Sequence, residues 1–326
     1  MIEQTTLMAD ASFMKSRVIL TSAELDLFSQ LHKDQASAQE LAEAMGLDLR
    51  ATTRLLDCLV TFDLLDKHND RYRTTALGSL LSSYHPETVL PMVLHTNHLW
   101  DSWSDLTDIV RKGTRTERRT RTGSQMTQKA FIDAMHVVAK TISKEITSAY
   151  DVSPFVRFMD IGGGSGSYTI AFLKRNPRMT AVLFDLDGVI SMARERLTAE
   201  GLGERVDLVA GDFNRDELPS GCDLALLSAI IHQNSPEENL TLYQKIHKAL
   251  LPGGVLLIRD HIMEESRTSP RAGALFALNM LVNTPAGDTY TFGEVREGLE
   301  KAGFGNIELV RTGERMDCLV EARKSR

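Results

Sequence analysis

Through the first hundred residues, apolar side chains recur three and four positions apart, the spacing of one face of an α-helix. "SAELDLFSQL" (22–31) and "SAQELAEAMGLDLRATTRLLDCLVTFDLL" (37–65) carry this pattern, and Gly46 breaks the second into two short helices. "LLDKHNDRYRTT" (64–75) has a polar turn, His68 to Asp70, between segments that pair as a small hairpin. Helix, turn, helix and hairpin in succession predict a winged-helix arrangement over residues 1–100. A helical linker region, 101–153, follows; it is interrupted by the polar "RKGTRTERRTRTGS" (111–124) and resumed by "QKAFIDAMHVVAKTISKEI" (128–146).

From Val156 the rhythm changes. Short apolar runs, "VRFMDI", "TAVLFDL", "RVDLVAG", "CDLALLSAI" and "GGVLLIRD", alternate with helical segments. Such alternation predicts βαβ units, so residues 154–326 read as an α/β domain with a mainly parallel, Rossmann-like sheet.

Composition narrows the use of these domains. A length of 326 residues allows two cores, and 42% hydrophobic with 25% charged residues is ordinary for a globular protein. A net charge of -7 argues against a protein that grips duplex phosphates. The helix that would read DNA, Asp48 to Leu65, sets Asp48, Asp57 and Asp63 against Arg50 and Arg54, so the winged helix is expected to join chains and not to bind nucleic acid. The basic stretch 111–121 reads as a solvated loop. Cys58, Cys222 and Cys318 are scattered, no basic-then-apolar leader opens the chain, and no apolar run is long enough for a bilayer. A reduced, cytoplasmic setting without membrane attachment is expected.

The candidate chemistry begins at "FMDIGGGSGSYTI" (158–170). A dinucleotide fingerprint spaces its glycines G-x-G-x-x-G, to seat a pyrophosphate on a helix N-terminus. Here Gly162, Gly164 and Gly166 are one residue tighter, and Asp160 stands beside the loop. A carboxylate there suits a positive amine and repels phosphate, while free loop N–H groups can hold a carboxylate. An amine next to a carboxylate is the methionine end of S-adenosylmethionine. Asp185, with Leu186 after it, ends the second strand where an acid can accept both ribose hydroxyls. Asp212 ends the third, where it can take the adenine amine while Phe213 lies on the ring. Helix capping explains any one of these acids, and a nicotinamide dinucleotide would use Asp185 too.

With "LWDSWSDLTDIVRKGT", "FMDIGGGSG", "FDLDGVI", "AGDF", "LSAIIHQNSPEEN", "ALLPGGVLLIRD" and "LVNTPAGDTYTFGEVREGLEKAGF", the chain resembles the caffeate- and acetylserotonin-type small-molecule O-methyltransferases along nearly its whole length. The resemblance implies a seven-stranded methyltransferase domain, a winged-helix dimerisation domain, and S-adenosyl-L-methionine as methyl donor. It implies methyl transfer to a hydroxyl of a small, aromatic metabolite in secondary metabolism, and a homodimer in which residues Ser12 to Val18 reach the partner's pocket. His232 matches the family's general base and Asp260 the acid behind it. There are three departures. Gln233 and Asn234 replace Asp-Trp, Thr289 with neighbouring Asp288 stands where some members have a second acid, and Ser228 replaces a lysine near the adenine. Methylation of carbon or nitrogen, or chemistry without methyl transfer, is the alternative those changes leave. His95, His98, Trp100, Met135, His136, Met280 and Asn283 read as core packing. His232 and His261 lack a third ligand, so no metal is expected.

Overall fold

The structure, a computed structural model, describes residue 8, residues 11–114 and residues 125–326, with the backbone alone for 125–130. Most of the basic stretch read as a solvated loop lies outside the described residues. The chain divides into two compact units, 1–100 and 101–326.

The first unit holds helices α1 (Met14–Glu24), α2 (Leu27–Lys33), α3 (Ala38–Met45), α4 (Leu49–Thr61) and α5 (Ala76–Ser79), with strands β1 (Ala36–Ser37), β2 (Leu65–His68) and β3 (Arg71–Thr74). Gly46 ends α3 at φ 67, as the left-handed cap that a residue without Cβ favours. β2 and β3 pair antiparallel, and the turn residues Asn69 and Asp70 both take positive φ, the geometry of a tight two-residue hairpin loop. Leu27, Phe28, Leu31, Leu56, Leu59 and Tyr72 form this unit's core. Helix α6 (Leu90–Ser104) follows it in the chain.

The second unit continues through α7 (Leu106–Lys112), α8 (Gln125–Ala149), β4 (Arg157–Ile161), α9 (Ser167–Arg175), β5 (Thr180–Asp185), α10 (Asp187–Ala199), β6 (Val206–Ala210) and β7 (Cys222–Ser228). It ends with α11 (Pro236–Ala249), β8 (Leu250–Asp260), β9 (Ile262–Met263), α12 (Arg271–Asn283), β10 (Tyr290–Thr291), α13 (Phe292–Lys301), β11 (Phe304–Arg311) and β12 (Cys318–Lys324). Seven strands form one sheet in the order β11-β12-β8-β7-β4-β5-β6, and only β12 runs against its neighbours. The central strands β4, β5, β7 and β8 are apolar toward both faces, as parallel strands covered by helices on each side must be. One core, around Met159, Leu227, Ile246 and Ile258, fills one face, and another, around Phe158, Phe172, Leu226 and Leu257, fills the other.

After β4 the chain moves outward to β5 and β6, then returns to the other side of β4 as β7. The strand order therefore reverses between β4 and β7, and a crevice opens at their carboxyl ends. The glycine loop, Asp185, Asp212 and His232 all lie at those ends.

Candidate active site

The glycine loop follows β4 directly. Gly162, Gly164 and Gly166 take φ 66, 55 and 78, so a side chain at any of them would be strained. A Cβ at Gly162 would come within 2.8 Å of Ile230 and 3.6 Å of the Phe213 ring, whereas one at Gly164 would meet nothing within 4 Å. The loop is thus pressed against the sheet at one end and open at the other. That is the shape of a cradle for a flat, extended ligand.

The three acids take different postures. Asp185 spans the loop, its Oδ2 accepting from Gly164 N–H at 2.7 Å and its Oδ1 from Leu186 N–H at 2.7 Å. Burial raises its carboxyl above the usual range while those two N–H groups pull it back. Each oxygen keeps acceptor capacity for a ribose hydroxyl. Asp212 accepts from Asn214 N–H at 2.9 Å, and Phe213 packs half-buried against the core beside it. Asp160 turns inward, 1% exposed, its Oδ2 taking the Thr169 hydroxyl at 2.7 Å and the Thr169 N–H at 3.1 Å. It ties the first turn of α9 to the end of β4 and lies beneath the loop, where burial pushes its carboxyl up to about 6. Leu186 is exposed at the start of α10. Ser228, at the end of β7, accepts from the buried Arg259 Nε at 2.8 Å, so a cation stands behind this serine.

His232 sits on a 3-10 turn, Ile231–Gln233, immediately beyond β7. Its Nδ1 faces both oxygens of Asp260, at 2.9 and 3.0 Å, and Asp260 also accepts from His261 N–H at 2.8 Å. Burial opposes charge on Asp260, but His232, Arg259 and the His261 N–H together hold its carboxyl below the usual range. An ionised carboxylate at Nδ1 selects the tautomer with the proton there, leaving the Nε2 lone pair free to accept a proton. The His232 ring lies 4.8 Å from the edge-on Phe276 ring. Neither Thr289 nor Asp288 supports it directly. The Thr289 hydroxyl donates to Gly273 O at 3.3 Å, and Asp288 pairs with Arg267 at 3.1 Å.

Other residues hold the turn from outside. Asn239 donates to Ile231 O at 2.9 Å, Asn234 donates to Asn239 at 3.1 Å, and the Tyr290 hydroxyl donates to Asn234 O at 2.5 Å. Gly287 lies so close that an added Cβ would stand 2.5 Å from His232 O. Beside it, Leu278, Leu281 and Pro285 line a hollow of about 290 Å³ together with the polar Thr114, Thr284 and Asp288. Asn234 and Asn239 were legible only as polar letters after the histidine. Tyr290 carried no signal, because its partner lies 56 residues away.

The chain matches the model of the O-methyltransferase domain over residues 103–305 and that of the O-methyltransferase dimerisation domain over residues 9–83. Acetylserotonin O-methyltransferase of Gallus gallus is 30% identical, covering 94% of this chain and 94% of its own length. The 3-hydroxy-5-methyl-1-naphthoate 3-O-methyltransferase of Streptomyces sahachiroi is 29% identical over 94% of this chain and 91% of its own length. The crystal structure of human N-acetylserotonin methyltransferase in complex with SAM superimposes with a TM-score of 0.87 at 25% identity, covering 100% of this chain and 98% of that one. The open glycine cradle and the free acceptor capacity of Asp185 fit the same cofactor here. By matched domains, fold and cofactor loop alike, the chain belongs to the S-adenosylmethionine-dependent O-methyltransferases that act on small molecules.

Proposed function

We propose that this enzyme methylates a hydroxyl group of a small aromatic metabolite, with His232 as general base. The observation that carries this reading is the His232–Asp260 pair, with both carboxylate oxygens on Nδ1, at the strand end next to the glycine loop. Phenols ionise near pH 10, so the hydroxyl needs a positioned base to take its proton as the oxygen attacks. Bound S-adenosylmethionine supplies a methyl group activated on a sulfonium. The protein supplies the rest. Nε2 of His232 takes the hydroxyl proton, and Asp260 stabilises the imidazolium and fixes the ring plane. Asp185, Asp212 and Ser228 hold the nucleoside, and Asp160 holds the loop from beneath. The crevice would supply the rest by holding the acceptor hydroxyl in reach of the methyl donor.

An aromatic acceptor is supported by the Phe276 ring, which stands edge-on against His232. The names of the relatives from Gallus gallus and Streptomyces sahachiroi point the same way, since hydroxyindoles and hydroxynaphthoates are both hydroxylated aromatics. The test is transfer of labelled methyl from S-adenosylmethionine to a panel of such compounds, with the wild type and His232→Ala. The variant is expected to lose about a hundred- to ten-thousandfold in kcat while binding S-adenosylhomocysteine normally. Wild-type turnover by the variant would sink the base assignment.

A further inference from the structure

The chain that carries Asp212 and Phe213 lies between β6 and β7 and has a support of its own. Gly211 N–H donates to Asp185 O at 2.9 Å, which ties the start of this segment to the end of β5. The chain then turns back on itself. Asp216 accepts the Asp212 N–H on Oδ2 at 2.8 Å, and its own N–H donates to Asp212 O at 2.7 Å. Phe213 leaves the turn half-buried against the core, its ring 3.6 Å from where a Cβ on Gly162 would stand. The turn is therefore a wall beside the start of the glycine loop.

Lys245 reaches that wall from α11. Its Nζ donates to Phe213 O at 2.9 Å and to Asp216 O at 3.0 Å. An ammonium can only donate and a carbonyl can only accept, so the direction of both bonds is fixed. A charged donor makes each bond stronger than its neutral counterpart, and the lysine is half-buried. Two carbonyls three residues apart are thus held to one point on the helix, and the Phe213 side chain springs from the backbone between them. Lys248, one turn further along α11, pairs with Glu217 at 2.8 Å, but both side chains are exposed and such a pair contributes little. We propose that Lys245 is a positioning residue for the nucleoside end of the cofactor: by holding Phe213 O and Asp216 O, it sets where the Asp212 carboxylate and the Phe213 ring stand. The inference rests on the reading that S-adenosylmethionine lies in the crevice with its adenine at these two residues, and it adds the group that fixes them.

The experiment pairs titration calorimetry with S-adenosylhomocysteine and amide hydrogen exchange of the unliganded protein, which reads local opening segment by segment. Lys245→Met keeps an apolar stem and removes the ammonium. It is expected to weaken S-adenosylhomocysteine about tenfold and to speed exchange over residues 212–217, while β4 and β5 exchange as in the wild type. Lys245→Arg, a cation that again donates, should restore most of the affinity. Lys248→Met, which removes an equal charge from the same helix, should change it little. Lys245→Gln serves if the methionine variant does not fold. Wild-type affinity in Lys245→Met, or weakening that comes with faster exchange throughout the domain, overturns the proposal. Equal weakening by Lys248→Met overturns it too, since the effect would then be one of charge alone. A wild type that binds no S-adenosylhomocysteine would overturn the cofactor reading and this inference with it.

Discussion

Asp160 shows how far a single side chain's letter can be read. The sequence places it correctly at the end of β4, and its carboxylate turns down onto Thr169 because α9 begins there with unpaired N–H groups. Its folded carboxyl sits at about 6 against 3.8 unperturbed, so the unfolded chain ionises first as pH rises. Stability contributed by the protonated form is lost between those two values, at most about 3 kcal/mol in total. Asp160→Asn has no such proton to lose. Its stability relative to wild type should therefore improve as pH is raised from about 4 to about 6 and stay level above, which thermal melts of both proteins across that range would check. His136 is the opposite case. Its helical spacing reads as packing, and its 2.8 Å contact with Ser167, 31 residues on, left no mark in the sequence.

Among elements, the turn that bears His232 matters most, and it is held from three directions. The "SPEEN" run announces α11 openly. Ser235 and Glu238 form a capping box, with Pro236 at the first helical position. Asn239 then reaches back to Ile231 O, which also accepts a longer bond from Asn234 N–H at 3.3 Å. Asn239→Ala should cost about 1–3 kcal/mol, visible as a lower melting temperature. It should also depress kcat while leaving S-adenosylhomocysteine affinity intact, because the cofactor loop is a separate element. A variant with normal turnover would show that the turn is held without Asn239. The strands, their parallel run and the glycine loop were legible because burial on both faces and φ above zero leave plain marks in composition. The Asn234–Tyr290 contact and the path of Arg259 to Ser228 were not, since each joins distant segments that only the folded sheet brings together.

At the scale of the molecule, the dimerisation-domain match over residues 9–83 covers most of the first unit. Phe13 and Met14 are 62% and 67% exposed, and large apolar side chains open to water at a helix start are costly to leave so. A homodimer is the expected state. Light scattering should give about twice the 36.3 kDa chain mass, and Phe13→Glu should shift it toward the single-chain value. A wild-type mass equal to one chain would contradict this. The sheet carries a consequence of another kind. β12 lies between β8 and β11, with Cys318 opposite Asp260 and Leu319 opposite Arg259. Until β12 is in place, the strand that holds Asp260 has one edge bare. Loss of β12 should therefore strip the Asp260 strand of its outer partner, while the glycine loop, two strands further into the sheet, keeps its own neighbours.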